Sequence, residues 1–380
     1  MQATATIRVP FLDLKAQYPQ VINEIRSKFD DIFENTAFIS GKYVSAFESE
    51  FAKAQQVGNC IGVSSGTDAL HIALMCLGIG PGDKVAVPVN TFIATAESVS
   101  LCGALPVFVD CDPFFNLDAA GLERILSGPD RINVKAAIPV HLYGQPADMT
   151  ALMELAVRHH LAVIEDCCQA HLASWQGTKV GNFGLFGAFS FYPGKNLGAF
   201  GEAGALMCND RERAETARMV RQHGEVERYC HKVVGHNYRM EAFQGAVLGT
   251  KLKYLEEWTA RRQRNAALYS ELLARVEEIE TPMTRPGAEH VFHLYVIQTD
   301  QRDELQKFLA EKGIATGLHY PVPIHLQPAY KHLGFQKGDF PVAERAAKRI
   351  LSLPMYAELT EKQIRYVVDA IKGFWSARRR

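Results

Sequence analysis

Lys195 stands in an unusual setting. The stretch "FSFYPGKNLGAFGEAGALM", residues 189–207, surrounds it with Gly194, Gly198, Gly201 and Gly204, with aromatic rings and with little polar company. Apolar, partly dry surroundings disfavour the charged form of a lysine, which suits an amine that must bond a carbonyl carbon as an imine. A lysine snorkelling to solvent from a glycine-rich turn fits the same residues equally well. A phosphate loop of the pattern G-x-x-x-x-G-K-[ST] does not fit. Phe189 stands where its first glycine belongs, and Asn196 follows the lysine.

Three other stretches could serve such an amine. "LAVIEDCCQAH" ends an apolar run on Glu165 and Asp166, with Gln169 three residues beyond. An isolated carboxylate there is commonly a helix cap or an ion-pair partner, but a strand's carboxyl end is also where a ligand crevice forms. "VSSGTDALHIAL" puts Ser65, Gly66, Thr67 and Asp68 at the start of an amphipathic helix. Free N–H groups and the positive helix end make that an anion site, although simple N-capping leaves the same signature. "PVNTFIATA" places Phe92 just after a strand, where its ring could stack on a planar ligand or join the core. One ligand uses all four features. Pyridoxal 5′-phosphate needs a lysine, a carboxylate for its ring nitrogen, a helix terminus for its phosphate and a flat apolar wall.

The elements that must hold these residues follow from periodicity. "KVAVPV", "LPVFVD", "VKAAIPVH" and "LAVIED" are short apolar strands, and the helical patterns "SGTDALHIALMCLGIG" and "DMTALMELAVRHH" lie between them. Buried strands alternating with helices predict a mainly parallel α/β sheet covered on both faces. Residues 240–277 read as one long charged helix, too polar on one side to be core. "HVFHLYVIQ" reads as a strand, "RDELQKFLAEKG" as a helix ending at Gly313, and "LKAQYPQVINEIRSKFDDIFEN" as a peripheral helix. The expected domains are residues 1–250, a large cofactor-binding α/β unit, and residues 251–380, a smaller α+β unit.

The ordered motifs "SSGTDALHIAL", "TFIATAESV", "HLYGQPADM", "IEDCCQAH", "SFYPGKNLGAFGEAG", "GHNYRMEAFQGAVLG" and "GLHYPVPIHLQPAY" resemble the DegT/StrS family of nucleotide-sugar aminotransferases. The resemblance runs from "PFLDLKAQY" through nearly the whole chain. It implies the aspartate-aminotransferase-like fold (fold type I), with a mainly parallel seven-stranded sheet, in a homodimer whose active sites lie between subunits. By motif, Lys195 would form the imine, Asp166 would partner the pyridinium nitrogen, Gln169 the ring hydroxyl, and Phe92 the ring face. Gly66, Thr67 and Ser190 would meet the phosphate, with Asn237 arriving from the second subunit, and Asp68 would also bind the cofactor. Arg239, His319 and Tyr320 would face the sugar nucleotide or the amino donor. Cys168 and Leu172 replace residues that are usually smaller in the family.

The activity so implied moves an amino group from L-glutamate to a keto-sugar of a nucleoside diphosphate. The carbon expected is C3 of a 3-keto-6-deoxyhexose or a 3-keto uronic acid, with C4 as the alternative. Relatives that dehydrate deoxysugars carry histidine in place of the reactive lysine, so Lys195 argues against that chemistry. A regulatory protein on the same fold would have no use for the ring nitrogen's partner.

Composition sets the outer limits. The chain has 380 residues, 47% hydrophobic and 22% charged, and a formal charge of −1. That balance provides no general field for nucleic acid or an acidic membrane. Arg378, Arg379 and Arg380 read as a solvated tail, and no secretory signal or membrane span is visible, so a cytoplasmic protein is expected. The eight cysteines form no C-x-x-C and read as small buried hydrophobes. His159 and His160 lack H-E-x-x-H spacing, and no metal site is expected.

Overall fold

The computed structural model describes residues 8–378, apart from the side chain of Asp130. Residues 1–7, where a leader was sought, and Arg379 and Arg380 of the expected tail lie outside the described residues. Arg378 lies over the Phe374 ring, 3.8 Å from its centroid.

Seven strands form the central sheet: β1 (Asn59–Val63), β2 (Lys84–Pro88), β3 (Leu105–Val109), β4 (Val134–Ala137), β5 (Ala162–Asp166), β6 (Phe186–Ser190) and β7 (Gly204–Cys208). Their order is β1-β7-β6-β5-β4-β2-β3, and the ladders from β3 through β6 are all parallel. The exception is β7, antiparallel to both β6 and β1. Strand alternation splits the core into two layers. Val85, Val87 and Ile164 pack with Leu70, Ala73 and Leu74 of α3 (Gly66–Cys76). On the other face Ala86, Ala137 and Val163 pack with Leu122 of α5 (Ala119–Ser127) and Leu152 and Leu155 of α6 (Met149–His159).

A second core gathers Ala266, Tyr269, Tyr295, Leu305, Leu353, Val367 and Trp375, and includes Val9 from the start of the chain. It lies around the antiparallel pair β8 (Tyr295–Gln298) and β9 (Ile350–Leu353) and the helices α9 (Leu255–Leu273), α10 (Arg302–Glu311) and α12 (Glu361–Arg378). Val9 joins by donating its N–H to Gly313 O, 2.9 Å. Gly313 ends its helix at φ +75, the left-handed conformation glycine accommodates.

Three expectations need correction. Residues 240–277 form two helices, α8 (Ala242–Leu252) and α9, broken at Lys253 and Tyr254. Moreover α8 is almost wholly buried, packed against α1 (Tyr18–Glu34) and α2 (Lys42–Gln55). Its polar residues misled because they are satisfied inside: Gln244 Oε1 accepts Phe200 N–H at 3.0 Å, and Lys251 Nζ donates to Gly198 O at 2.5 Å. In "HVFHLYVIQ" only the last four residues extend as strand. Phe292 turns left-handed at φ +44, and Val291 N–H goes to Gly144 O instead of a ladder. Among the cysteines, Cys60, Cys111, Cys167 and Cys208 are buried, but Cys230 is exposed on a hairpin.

Candidate active site

The lysine loop leaves β6 at Ser190 and returns to β7 at Gly204. Phe191 N–H donates to Ala203 O and Ala199 N–H to Phe191 O, both at 2.8 Å, closing the loop's base. Lys195 N–H donates to Tyr192 O at 2.8 Å. Gly198 is required, because a Cβ there would lie 2.3 Å from Pro193 O. Asn196 Nδ2 ties the turn to Val291 O at 3.1 Å. Burial lowers the Lys195 amine below its ordinary value, while the nearby Cys168 and Asp166 oppose the shift. The site therefore favours a proton-free amine more than water does.

Asp166 ends β5 beneath this loop. Oδ2 accepts Thr95 Oγ1–H at 2.8 Å and Oδ1 accepts Cys168 N–H at 3.1 Å, which leaves acceptor capacity toward the crevice. Its neighbour Glu165 points to the opposite face of the strand. There it accepts from His141 Nε2 and from the N–H groups of Gly181, Phe183 and Gly184. Gln169 Oε1 accepts Tyr143 N–H at 2.7 Å, and its Nε2 donates to Tyr320 Oη at 3.3 Å.

The N-terminus of α3 meets the ends of β6 and β7. Ser65 caps the helix by accepting Asp68 N–H at 3.1 Å, and the Asp68 carboxylate accepts Ser64 Oγ–H at 2.6 Å. A Cβ on Gly66 would fall 2.7 Å from Ser190 Cβ and 2.8 Å from Cys168 Sγ; one on Gly204 would fall 2.3 Å from Ser65 O. Only hydrogen fits at either place. The glycines thus bring Ser190, Cys168 and the free end of α3 together as a cradle for an anion.

Phe92 is 54% exposed, and its ring lies 5.7 Å from that of Tyr320. His319 stacks on Phe11 and pairs its Nδ1 with Ser352 Oγ at 2.8 Å. Burial and then the charge of Lys195 push His319 down to about 4. Arg239 bridges Val63 through its main chain, and its buried Nε has no partner. Asn237 is exposed in the same segment.

Several contributors escaped sequence analysis. Thr95, inside the quoted "TFIATA", orients Asp166. His171 is buried, donates from Nε2 to Ser190 O at 2.9 Å, and is held at about 3 by burial and by Lys195. His293 pairs with Asn196 Oδ1 at 3.3 Å. Leu172 is buried and left-handed at φ +65, a conformation that glycine adopts more readily than a branched residue. The lysine, the carboxylate with spare capacity and the glycine-walled cradle fit pyridoxal phosphate.

Comparison with known proteins agrees. Residues 19–372 match the DegT/DnrJ/EryC1/StrS aminotransferase family. A relative from Geobacillus stearothermophilus named "Pleiotropic regulatory protein" is 46% identical over 97% of this chain and 99% of its own. A Streptomyces venezuelae protein named "dTDP-3-amino-3,4,6-trideoxy-alpha-D-glucose transaminase" is 43% identical over 98% of this chain and 97% of its own. The crystal structure of S. venezuelae DesV "in complex with ketimine intermediate" superposes with a TM-score of 0.94 at 43% identity, covering 97% of this chain and 99% of that one. The chain belongs to the DegT/DnrJ/EryC1/StrS family of aminotransferases, enzymes that work with pyridoxal phosphate.

Proposed function

We propose that this enzyme transfers the amino group of L-glutamate to the C3 keto carbon of a nucleoside-diphosphate sugar. The observation that carries the chemistry is a half-buried Lys195, its amine lowered below the ordinary value by desolvation, beside an Asp166 whose carboxylate is only half satisfied. The choice of C3 rests on the likeness to the S. venezuelae 3-amino-sugar transaminase.

When bound, pyridoxal phosphate supplies an aldehyde for amines and a cationic ring that accepts the electron pair left by a departing proton. Lys195 Nζ would hold that aldehyde and, once displaced by the donor, take the proton from the glutamate Cα. Asp166 would keep the ring nitrogen protonated with the oxygen capacity that Thr95 and Cys168 leave free. Gln169 Nε2 is a donor and suits the ring hydroxyl. Gly66, Thr67 and Ser190 would seat the phosphate at the end of α3, with Asp68 lining the cofactor site beside them, and Phe92 would cover the ring. Glutamate would depart as 2-oxoglutarate, with water supplying its keto oxygen and its nitrogen retained on the cofactor for transfer to the sugar, and Lys195 would handle the reverse proton transfer at the sugar carbon.

A homodimer completes the reading. Phe33 and Phe38, 58% and 43% exposed, pack on the Phe243 ring, and Ile39, 52% exposed, follows Phe38 in the chain, a patch that a second copy would cover. Asn237 and Arg239 would then serve the neighbouring site, with His319 and Tyr320 facing substrate in their own. The chain would divide near residue 250 into a cofactor unit and a smaller unit built on the second core. Among the described residues no helix is long and apolar enough to cross a membrane, in keeping with work in the cytoplasm.

The test is spectroscopic. Protein loaded with pyridoxal phosphate should show a near-ultraviolet or visible band that glutamate bleaches and a 3-keto sugar nucleotide restores. Recovery with 4-keto sugars alone would move the reaction to C4. A protein that never takes up the cofactor would end the proposal.

A further inference from the structure

The motif "HLYGQPADM" enters the site through Tyr143, a residue with no role assigned so far. Its backbone is left-handed at φ +61 and ψ 2, where bulky residues rarely sit. Gly144 follows at φ +97, and a Cβ there would lie 2.9 Å from both His293 N and Val291 Cγ2. This turn aims Tyr143 N–H at Gln169 Oε1, 2.7 Å away.

That bond decides the orientation of an amide. A main-chain N–H can only donate, so it must face the oxygen end of Gln169. The nitrogen end is thereby turned toward Tyr320 Oη, 3.3 Å away. At its other end, Tyr143 Oη donates to the main-chain oxygen of His319. Burial raises the Tyr143 phenol well above its ordinary value, so the donor keeps its proton. The ring is steadied edge-on by Phe115, with centroids 5.5 Å apart.

His319 is joined to Tyr320 by a peptide bond, so the contacts close a circle. Gln169 accepts from Tyr143, Tyr143 holds His319, His319 carries Tyr320, and Tyr320 accepts from Gln169. Gln169 follows β5, whereas His319 and Tyr320 belong to a loop about 150 residues later. Because Gln169 Nε2 occupies one lone pair of Tyr320 Oη, the hydroxyl proton is free to point into the site.

We propose that Tyr143 is a positioning residue that joins the cofactor-facing amide of Gln169 to the substrate-facing His319–Tyr320 wall as one hydrogen-bonded unit. The inference rests on the assignment of the Lys195 crevice as the pyridoxal phosphate site. A nucleotide-linked sugar is far larger than glutamate and reaches further past the cofactor, so the seat of this wall matters to the acceptor more than to the donor.

The variant Tyr143→Phe removes the bond to His319 and keeps the N–H that orients Gln169. In the loaded enzyme, KM for the keto-sugar nucleotide should rise about tenfold, the worth of one such hydrogen bond. KM for glutamate, the cofactor band and its pH titration should stay as in wild type. In a double-mutant cycle with Tyr320→Phe the two effects on keto-sugar KM should fail to multiply, since both break the same circle. Four results would overturn the proposal: equal changes in the two KM values, no change in either, a lowered Tm with unaltered KM, or multiplicative effects in the cycle. Wild-type protein that takes up no pyridoxal phosphate would instead remove the assignment beneath it, and the proposal with it.

Discussion

Glu165 and Asp166 are adjacent carboxylates at the end of one strand, and they have opposite fates. Glu165 Oε2 accepts from His141 Nε2 at 3.1 Å and Gly181 N–H at 2.8 Å; Oε1 accepts from Phe183 and Gly184 N–H, both at 2.8 Å. His141 is fixed in its turn, because its Nδ1 accepts Ala147 N–H at 3.0 Å. With Cys167, these residues form a cluster whose atoms lie within 4.8 Å of one another, a spacing a metal could use. The lone pairs a metal needs on Glu165 and His141 are already committed. Asp166, by contrast, has two partners, Thr95 and Cys168. Saturation makes the first carboxylate a structural clamp on the 181–184 turn; spare capacity makes the second available to a ligand.

Substitutions can test that division. The largest effect belongs to Lys195→Ala, which removes the amine proposed to hold the cofactor whose ring nitrogen Asp166 would serve. Amino transfer should fall by about 10³-fold or more, and glutamate should no longer bleach a cofactor band. Next comes Asp166→Asn. An adjacent charge moves a pKa by about 1–3 units, so turnover should drop roughly 10- to 1000-fold while the cofactor is still retained. Near-normal turnover in this variant would erase the distinction between the two acids.

Glu165→Gln should behave in the opposite manner. Breaking a buried, hydrogen-bonded pair costs about 3 kcal/mol of stability, visible as a lower urea midpoint, while kcat in the folded protein stays close to wild type. Loss of activity without loss of stability would mean that Glu165, too, works in the chemistry. Thr95→Val sharpens the contrast from the other side. Asp166 would lose one of its two bonds, and kcat should fall about fivefold with little change in the urea midpoint.

A pH-dependent effect on stability, with no change expected in the chemistry at neutral pH, concerns His171, beneath the anion cradle. Its folded value of about 3 lies below the unfolded value near 6.5, so the unfolded chain takes up the proton first. Stability from this residue is fully present above pH 6.5 and declines as the pH falls toward 3, by at most about 1.4 kcal/mol per unit. His171→Phe should flatten that stretch of a urea-midpoint profile. An unchanged slope would mean that His171 does not stay neutral in the fold.

Much of this site is legible in the chain itself. Apolar runs that end in polar residues locate the strands, and the start of α3 shows itself by Ser65 and Gly66. The resemblance carried by Lys195, Asp166 and Gln169 reached the same family that the whole-chain comparison found. Less could be read where a polar side chain finds its partner inside. Lys251 and Gln244 made α8 look like a surface helix, because their acceptor and donor lie on a loop some fifty residues earlier. Glu165 and Asp166 could be ranked only through the family resemblance, which singled out Asp166, and not from the strand pattern, since alternation separates them only once both faces of the sheet are covered.

The family resemblance singled out Lys195 as the candidate amine, and the order of residues by itself determined the strands and the glycine positions. Those depend on local rules: which side chains leave water, and where a Cβ has no room. Only the folded chain decided which acid is spent on structure, which end of the Gln169 amide faces the crevice, and which lysine is anchored. Each of those outcomes turns on a hydrogen-bond partner brought near by folding, and no local pattern along the chain records that partner's position.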